Sequence, residues 1–388
     1  MSKGSKGPSG GDGVEKSMGE RMHMKKNGHS DSRRRFLAGL ASGAVVGPAV
    51  LAESRAKAAP NPPPFEVRLA PKYYPKPSHV PEIDLEGKVA VITGASRGIG
   101  LAVGLALQAA GVQVIGTSRT PAAYPGHPFP LINLDLVNPA SIQGFAAAAL
   151  GRPEVQGAGG IDILVNNAGR AVVGGVVPVD PSIYFAGIQT GLATLYGGHV
   201  AVTSALLQAL AARSAGGYAR ILFTTSFQSY IDGGGDLGIT YGHNYTSSKR
   251  ALLAYANSLR RILDAAGSGI KVSTLNPLWI NTDIASATRP IFLQPVDANG
   301  NSVGDPNFQL VLDAFRALVA NGLPASYAAQ AYAQLLTATN PEANVLIGSG
   351  VEPYATQGGT DSALAILTNE MRDSALPWVA GPKQGQIS

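Results

Sequence analysis

Short apolar runs rich in β-branched residues alternate with longer helix-like segments from Val89 to Thr274. The first four runs span residues 88–92, 112–117, 131–134 and 161–165. Strands that are apolar on both faces and separated by helical segments are typical of a parallel sheet covered by helices on both sides. The pattern therefore predicts an α/β fold with a doubly wound parallel sheet (a Rossmann fold), in a single domain over residues 85–388.

The regular pattern weakens after Asp283 and returns further along the chain. Residues 309–321 and 324–337 read as amphipathic helices, 345–348 as a final strand and 362–372 as one more helix. Before the domain, residues 59–84 are rich in proline, and we expect an extended arm or linker there.

A glycine-rich turn connects the first predicted strand to the first predicted helix. Such a turn lets backbone N–H groups approach a diphosphate, and the positive end of the helix favours its charge. The sequence therefore predicts a dinucleotide site whose members are Gly94, Ser96, Arg97, Gly98, Ile99 and Gly100.

The end of the second strand bears on which dinucleotide binds. Sites that select NAD usually carry an acid there, whereas an arginine accommodates the 2′-phosphate of NADP. This chain has Arg119 at that place, supported by Arg97 in the turn, so NADP is expected in preference to NAD. The alternative is that both are solvated surface arginines. Asp135, after the third strand, is expected near the adenine.

Tyr245 and Lys249 are four residues apart, and such residues share one face of a helix. The spacing places a phenol beside an ammonium. A neighbouring cation favours the phenolate, so we expect the pKa of Tyr245 to fall from its ordinary value of about 10 and the phenol to exchange protons at neutral pH.

Three motifs in order, the glycine-rich turn, Asn166–Gly169 and Tyr245-x-x-x-Lys249, resemble those of the short-chain dehydrogenase/reductase family. The resemblance implies that Tyr245 is the acid/base, that Lys249 holds the nicotinamide ribose and that a serine orients the substrate carbonyl. It also implies cofactor contacts from Asn167, Ala168, Gly169, Tyr245, Lys249, Pro277 and Thr282, and a substrate lid at about residues 284–325.

The catalytic serine follows from the family's fifth strand, which residues 220–226 resemble, and Ser226 is the first choice. Ser229 is the alternative. The distance to Tyr245 along the chain is long for the family, and residues 232–238 look like a glycine-rich insertion that absorbs the excess. This insertion is either a flexible loop over the substrate or a tolerated surface loop.

Two positions depart from the family pattern. Leu195 stands where the family often has an asparagine that supports a proton-relay water. Gln189 or His199 could take the place of that asparagine only if the helix register differs. His199 is expected to be a packed helix residue. Leu278 stands where glycine is common, and Trp279 is expected to form a wall of the nicotinamide pocket.

The N-terminus has the form of a twin-arginine export signal. Arg33, Arg34 and Arg35 precede a mildly apolar stretch at 38–52 that is too short for a stable membrane span, and Ala56-Lys57-Ala58 suits a cleavage site. We expect residues 1–58 to be a signal peptide read by the twin-arginine machinery, with a periplasmic or otherwise exported mature protein. The alternative is a disordered arginine-rich tail followed by a short helix.

Charge and composition exclude several other classes of function. Residues 1–58 hold 11 of the 30 basic and five of the 25 acidic residues, so the remainder has 19 against 20 and a formal charge of −1. The basicity of the whole chain is therefore no sign of nucleic-acid binding. There is no cysteine, hence neither a disulfide nor a thiolate metal site, and no histidine pattern indicates a metal.

The sequence thus predicts an exported NADP-dependent oxidoreductase that acts on a small carbonyl or secondary alcohol, with an apolar or aromatic substrate favoured by Trp279 and the lid. A homo-oligomer is expected from the family resemblance. The alternative is a cofactor-binding or sensor protein of the same fold that turns over slowly or not at all, which Leu195 and Leu278 leave open.

Overall fold

The computed structural model describes residues 80–174, 181–230, 242–286 and 289–347, except for the side chain of Asn307. All of these residues belong to one compact unit, Glu66–Ser388. The predicted export signal, most of the proline-rich arm, the insertion at 232–238 and the helix at 362–372 lie outside the described residues.

A seven-stranded sheet forms the centre of the described region. Its strands, in chain order, are β1 (Val89–Ile92), β2 (Gln113–Ser118), β3 (Leu131–Asn133), β4 (Ile163–Asn166), β6 (Ala219–Thr224), β7 (Ile270–Pro277) and β11 (Asn344–Ile347). They lie side by side in the order β11-β7-β6-β4-β1-β2-β3, and every neighbouring pair is parallel. The predicted doubly wound parallel sheet is confirmed.

Four shorter strands pair outside this sheet. They are β5 (Val172–Val173), β8 (Ile280–Asn281), β9 (Ile291–Phe292) and β10 (Leu323–Pro324). β5 pairs with β9 and β8 with β10, both in parallel. The first of these pairs fastens the predicted lid region to the segment that follows Gly169.

The helices are α1 (Gly98–Ala109), α2 (Pro139–Leu150), α3 (Pro153–Ala158), α4 (Pro181–Leu192), α5 (Gly198–Ser214), α6 (His243–Ala265), α7 (Pro306–Ala320) and α8 (Ala325–Thr337). A five-residue π-helical turn, Ala193–Gly197, joins α4 to α5. The predicted helices at 309–321 and 324–337 correspond to α7 and α8. Leu195 lies in this π-helical turn, beside the site described below.

Two apolar cores fill the space on either side of the sheet. On one face, residues such as Val202 of α5 and Leu252 of α6 pack against Val91 and Leu164. On the other face, α1 and α8 lie together, and Leu107 and Tyr332 share a core with strand residues of β1. The central strands β1, β4 and β6 are buried along their whole length between these two cores, which explains their mainly apolar sequence.

The continuous helical run Pro181–Ser214 is long and apolar enough to satisfy a length-and-composition test for a membrane span. Its inner positions include Val202, Leu206 and Leu210, which are fully buried in the core beside the sheet. Packing against the sheet therefore accounts for the apolar character of α5, whereas Ile183 and Phe185 of α4 are exposed.

Candidate active site

One cavity of about 600 Å³ opens at the carboxyl ends of β1, β2, β4, β6 and β7. Ligands of open parallel α/β sheets bind at this edge. The predicted site residues that line it are Gly94, Ser96, Arg97, Gly98, Ile99, Arg119, Asp135, Asn167, Ala168, Gly169, Ser226, Tyr245, Lys249, Pro277 and Thr282. The chain thus brings together residues that are far apart in sequence.

The glycine-rich turn is packed too closely for side chains. Gly94 has φ +65°, and a Cβ atom there would lie 2.7 Å from the Cα of Ala168. Its N–H donates to Thr117 Oγ1 at 3.0 Å, which fixes the turn against β2. Arg97 precedes α1 in an extended conformation, and no described side chain caps the helix. Gly98 and Ile99 of the first turn line the cavity, so this uncapped helix end is suited to an anion such as a diphosphate.

Gly100 was predicted to meet the cofactor, but it is not among the residues that line the cavity. A Cβ atom at this position would lie 2.4 Å from the carbonyl oxygen of Gly94 and 2.6 Å from Nδ2 of Asn167. Gly100 therefore serves the close approach of α1 to the turn, behind the cavity wall.

Backbone and side-chain hydrogen bonds hold the Asn166–Gly169 segment against the turn. Thr93 Oγ1 accepts from the backbone N–H groups of Asn167 and Ala168, at 2.9 and 3.0 Å. The Asn167 amide donates to the carbonyl oxygens of Thr93 and Gly94, at 3.1 and 3.3 Å. The two motifs form one rigid wall of the cavity.

Lys249 is 3 % exposed, and its ammonium Nζ donates to the carbonyl oxygen of Thr224 at 2.7 Å. Burial lowers the pKa of Lys249 to about 7, because the charged form loses its hydration. Thr224 is a site residue that the sequence analysis missed. Its position at the end of a predicted strand gave no sign that a carbonyl there would face the lysine.

Tyr245 differs from the sequence-based expectation of a lowered pKa. Surrounding protein excludes bulk water and raises the pKa of Tyr245 to about 12, while a hydrogen bond with Ser226 lowers it in part. Lys249 Nζ lies 5.9 Å from the centre of the Tyr245 ring and is directed at Thr224. Desolvation therefore exceeds the effect of the cation, and the phenol keeps its proton at neutral pH.

The two candidate serines occupy different environments. Ser226 lines the cavity, and its hydroxyl accepts from the N–H of Gln228 at 3.2 Å and lies 3.5 Å from the carbonyl oxygen of Pro277. Ser229 is buried, does not line the cavity and has an unpaired hydroxyl among the described residues. The geometry favours Ser226.

Leu195 and His199 both lie close to Lys249. Leu195 is fully buried, and both its Cδ2 and Lys249 Nζ lie within 4 Å of the Cβ position of Gly169. His199 is also fully buried, with Nε2 2.8 Å from the carbonyl oxygen of Ala168. Burial, and secondarily the charge of Lys249, lowers the pKa of His199 to about 3, so the ring is neutral and donates from Nε2. Gln189 is exposed on α4.

Polar side chains surround the other end of the cavity, beyond the turn. Arg119 and Asp135 line it there, together with Arg170, which the sequence analysis did not single out. Burial lowers the pKa of Arg170; Arg119 adds to this effect, and Asp135 opposes it. These three groups are thus within electrostatic reach of one another.

One part of the cavity wall is mainly apolar. Trp279 and Leu278 line it, as expected for Trp279. Helix α7 contributes Val311, Phe315 and Val319, which recur at spacings of four and form its inner stripe. That spacing was visible in the sequence, but the pairing of α7 with the cavity was not. Among the described residues, no group of three or more His, Cys, Asp or Glu could hold a metal ion.

Residues 88–290 match a sequence model of the family described as short chain dehydrogenase. The chain is 34% identical over 217 residues to Dehydrogenase/reductase SDR family protein 7-like from Anopheles gambiae, covering 52% of this chain and 62% of that protein. It is 31% identical over 211 residues to 3-oxoacyl-[acyl-carrier-protein] reductase FabG from Escherichia coli K12, covering 53% and 78% of the two chains.

Solved structures agree with the fold. A short-chain dehydrogenase from Streptomyces avermitilis superposes with a TM-score of 0.55 at 27% identity, over 73% of this chain and 95% of that one. A short chain dehydrogenase/reductase from Burkholderia phymatum, in complex with NAD, gives 0.56 at 20% identity over 74% and 97%, which supports the fold alone.

The family match covers the glycine-rich turn, the Asn166–Gly169 segment and the Ser226, Tyr245 and Lys249 side chains that meet at the cavity. The chain belongs to the short-chain dehydrogenase/reductase family of NAD(P)-dependent oxidoreductases.

Proposed function

We propose that this protein reduces a carbonyl compound, or oxidises the corresponding secondary alcohol, with NADP as its preferred cofactor. The observation that carries the proposal is the meeting of Ser226, Tyr245 and Lys249 in one cavity with the glycine-rich turn. A nicotinamide dinucleotide, when bound, supplies or accepts the hydride.

The cavity fits such a cofactor on the observations above. Gly94 and Gly98 leave the turn without side chains, and the uncapped end of α1 offers N–H donors to a diphosphate. Arg119 and Arg170 provide positive charge beyond the turn, where a 2′-phosphate would add negative charge. This charge, and the lack of an acid at the end of β2, supports NADP over NAD.

The protonation states suit the reductive direction. Tyr245 has a pKa of about 12 and therefore carries a proton that it can donate to a carbonyl oxygen. Ser226 hydrogen-bonds with Tyr245 and is placed to donate to the same oxygen. Lys249 changes charge near neutral pH and lies beside the site, so it influences how readily the Tyr245 phenolate is formed and reprotonated.

The apolar wall supports a hydrophobic or aromatic substrate. Trp279, Phe315 and Val311 line the cavity and offer favourable contacts to an apolar substrate.

Replacement of Tyr245 by Phe tests the assignment. We expect Tyr245→Phe to lose turnover of a panel of ketones and aldehydes, measured by NADPH oxidation, while NADPH binding measured by nicotinamide fluorescence is retained. Tyr255→Phe is the matched control, since Tyr255 lies on the same helix and packs against Phe223 and Tyr196 away from the cavity.

Three outcomes separate the possibilities. Full turnover by Tyr245→Phe would contradict the role of the phenol. Failure of the wild-type protein to bind either NADPH or NADH would contradict the proposed cofactor site. Tight binding of NADPH that no carbonyl in the panel oxidises would favour the slow sensor or cofactor-carrier alternative.

We also propose that residues 1–58 direct export through the twin-arginine route, on the strength of Arg33–Arg35 and the small residues at 56 and 58. Expression of the full chain in a bacterial host should then give a periplasmic product whose N-terminus, read by mass spectrometry, lies near Ala59. Replacement of all three arginines by lysine should retain the protein in the cytoplasm. Export of that variant at the wild-type level would refute the proposal.

A further inference from the structure

Two arginines from distant parts of the chain share one carboxylate at the edge of the cavity. Arg97 Nη1 lies 3.1 Å from Asp283 Oδ2, and Arg289 Nη2 lies 2.9 Å from the same oxygen. Arg97 and Asp283 are both about two-fifths exposed, whereas the Arg289 side chain is only 15% exposed. All three residues line the cavity.

This cluster lies at the uncapped N-terminus of α1. Arg97 is the residue that precedes the helix, and Thr282, next to Asp283, is within 3.5 Å of the Cβ position of Gly98. The ion pair with Arg97 therefore holds the Asp283 carboxylate near the end of α1 where the helix dipole favours a negative charge.

The backbone at Arg289 is held firmly in place. Arg170 Nε donates to the carbonyl oxygen of Arg289 at 2.7 Å, and Ile291 N donates to Ala171 O at 2.7 Å. The β5–β9 pairing begins at this point with Val172 opposite Ile291. The guanidinium of Arg289 is thus carried to the cavity by a fixed main chain.

The Arg289 side chain is incompletely satisfied. Its Nη2 atom is buried and, among the described residues, makes no hydrogen bond of good geometry, although Asp283 is close enough for an ion pair. Two guanidinium groups on a single carboxylate leave a net positive charge. A buried guanidinium donor without an aligned acceptor is costly, and phosphate oxygens are the acceptors that its planar fork matches best.

We propose that Arg289 binds the diphosphate of the dinucleotide cofactor, and that Asp283 occupies its guanidinium until the diphosphate arrives. Arg289 then supplements the N–H groups of α1 with a charged donor at the same end of the helix. The inference rests on the proposed function, because it assigns a residue to the same cofactor site.

Replacement of Arg289 by Gln tests this role with binding as the readout. NADPH and NADH are titrated into the full chain by nicotinamide fluorescence, and adenosine 2′-monophosphate, which lacks the diphosphate, is measured by competition. Loss of a charged hydrogen bond to phosphate is expected to weaken NADPH about ten- to a hundred-fold. The affinity for adenosine 2′-monophosphate should be unchanged.

The Asp283→Asn variant separates cofactor binding from a purely structural ion pair. If Asp283 only holds Arg289 in place, its removal should weaken NADPH as Arg289→Gln does. If Asp283 competes with the diphosphate, Asp283→Asn should bind NADPH at least as tightly as the wild type. Arg152→Gln is the matched control, because Arg152 pairs with Glu154 outside the cavity and its loss should not change binding.

Circular dichroism and the unfolding midpoint establish that each variant is folded. The inference is overturned if folded Arg289→Gln binds NADPH as the wild type does, or if Asp283→Asn is weakened to the same degree as Arg289→Gln. A wild-type protein that binds neither NADPH nor NADH overturns the proposed function itself, and the inference with it. Binding by the wild type with no effect of Arg289→Gln overturns the inference alone.

Discussion

Lys249 is a buried cation whose burial should be measurable as a dependence of stability on pH. Its pKa is about 7 in the folded protein against an ordinary value of 10.5, so the unfolded chain binds more protons between these values. The free energy of unfolding therefore rises with pH between about 7 and 10.5. The contribution from the neutral Lys249 side chain is fully present above pH 10.5 and is lost as the pH falls toward 7. Replacement by Met keeps the length of the side chain and removes the titration.

The magnitude follows from the two pKa values. At pH 7 the buried ammonium costs roughly 4 kcal/mol, and at pH 9.5 the cost falls to about 1 kcal/mol, a change of about 3 kcal/mol. Lys249→Met also deprives the carbonyl oxygen of Thr224 of its 2.7 Å donor, which costs about 1–3 kcal/mol at either pH. The variant should thus be more stable than the wild type at pH 7 and equal or less stable at pH 9.5.

Urea unfolding of both proteins at pH 7 and pH 9.5, followed by circular dichroism, gives the comparison. The difference in unfolding free energy between them should change by about 3 kcal/mol, while the titration of all other groups cancels. Lys271→Met is the control, since the Lys271 side chain is exposed beside Asp264 and its removal empties no buried site. A difference for Lys249→Met that is the same at both pH values would refute the reasoning.

Three further predictions concern neighbouring positions. Gly100→Ala should push α1 away from the turn and lower both the unfolding midpoint and the NADPH affinity. The control is Gly144→Ala in α2, where a Cβ atom would have nothing within 4 Å, and it should be neutral or stabilising by up to about 1 kcal/mol. Equal effects of the two substitutions in thermal unfolding would contradict the close packing at Gly100. Leu195→Asn should raise the pKa of Lys249, because an amide oxygen beside the ammonium favours the charged form. In the same urea comparison, stability should then change over a higher pH range, and an unchanged range would be inconsistent with the proximity of the two side chains. Ser226→Ala should lower kcat for carbonyl reduction by a factor of a hundred or more while retaining NADPH binding, and unchanged kcat would exclude this serine from the reaction.

The sheet was predictable because local sequence is enough to specify its parts. A strand buried on both faces has to be apolar throughout, as residues 88–92 and 161–165 are, and a glycine-rich turn followed by a helix leaves few alternatives. Tyr245 and Lys249 could be placed on one helix face from their spacing alone. Their convergence with Ser226 at one cavity required the parallel order of β4, β6 and β7.

Several properties of the site depend on contacts that no local pattern contains. The pKa of Tyr245 rises because the surrounding protein excludes water and Lys249 is directed at Thr224, which is a tertiary arrangement. Gly100 lies behind the cavity because α1 leaves the turn at a particular angle. The ion pair between Arg289 and Asp283 joins residues on a segment with no regular signal, so the sequence indicated neither partner.

The packing of α8 against α1 has a consequence for biosynthesis. The face of the sheet that carries α1 is covered only when Ala328 and Tyr332, near the end of the described chain, join Val103 and Leu107 in their common core. A nascent chain that has emerged only as far as β7 therefore exposes this apolar surface to the translation machinery and its chaperones. A ribosome stalled before residue 325 should therefore yield an aggregation-prone fragment, because the apolar face of α1 stays uncovered in it.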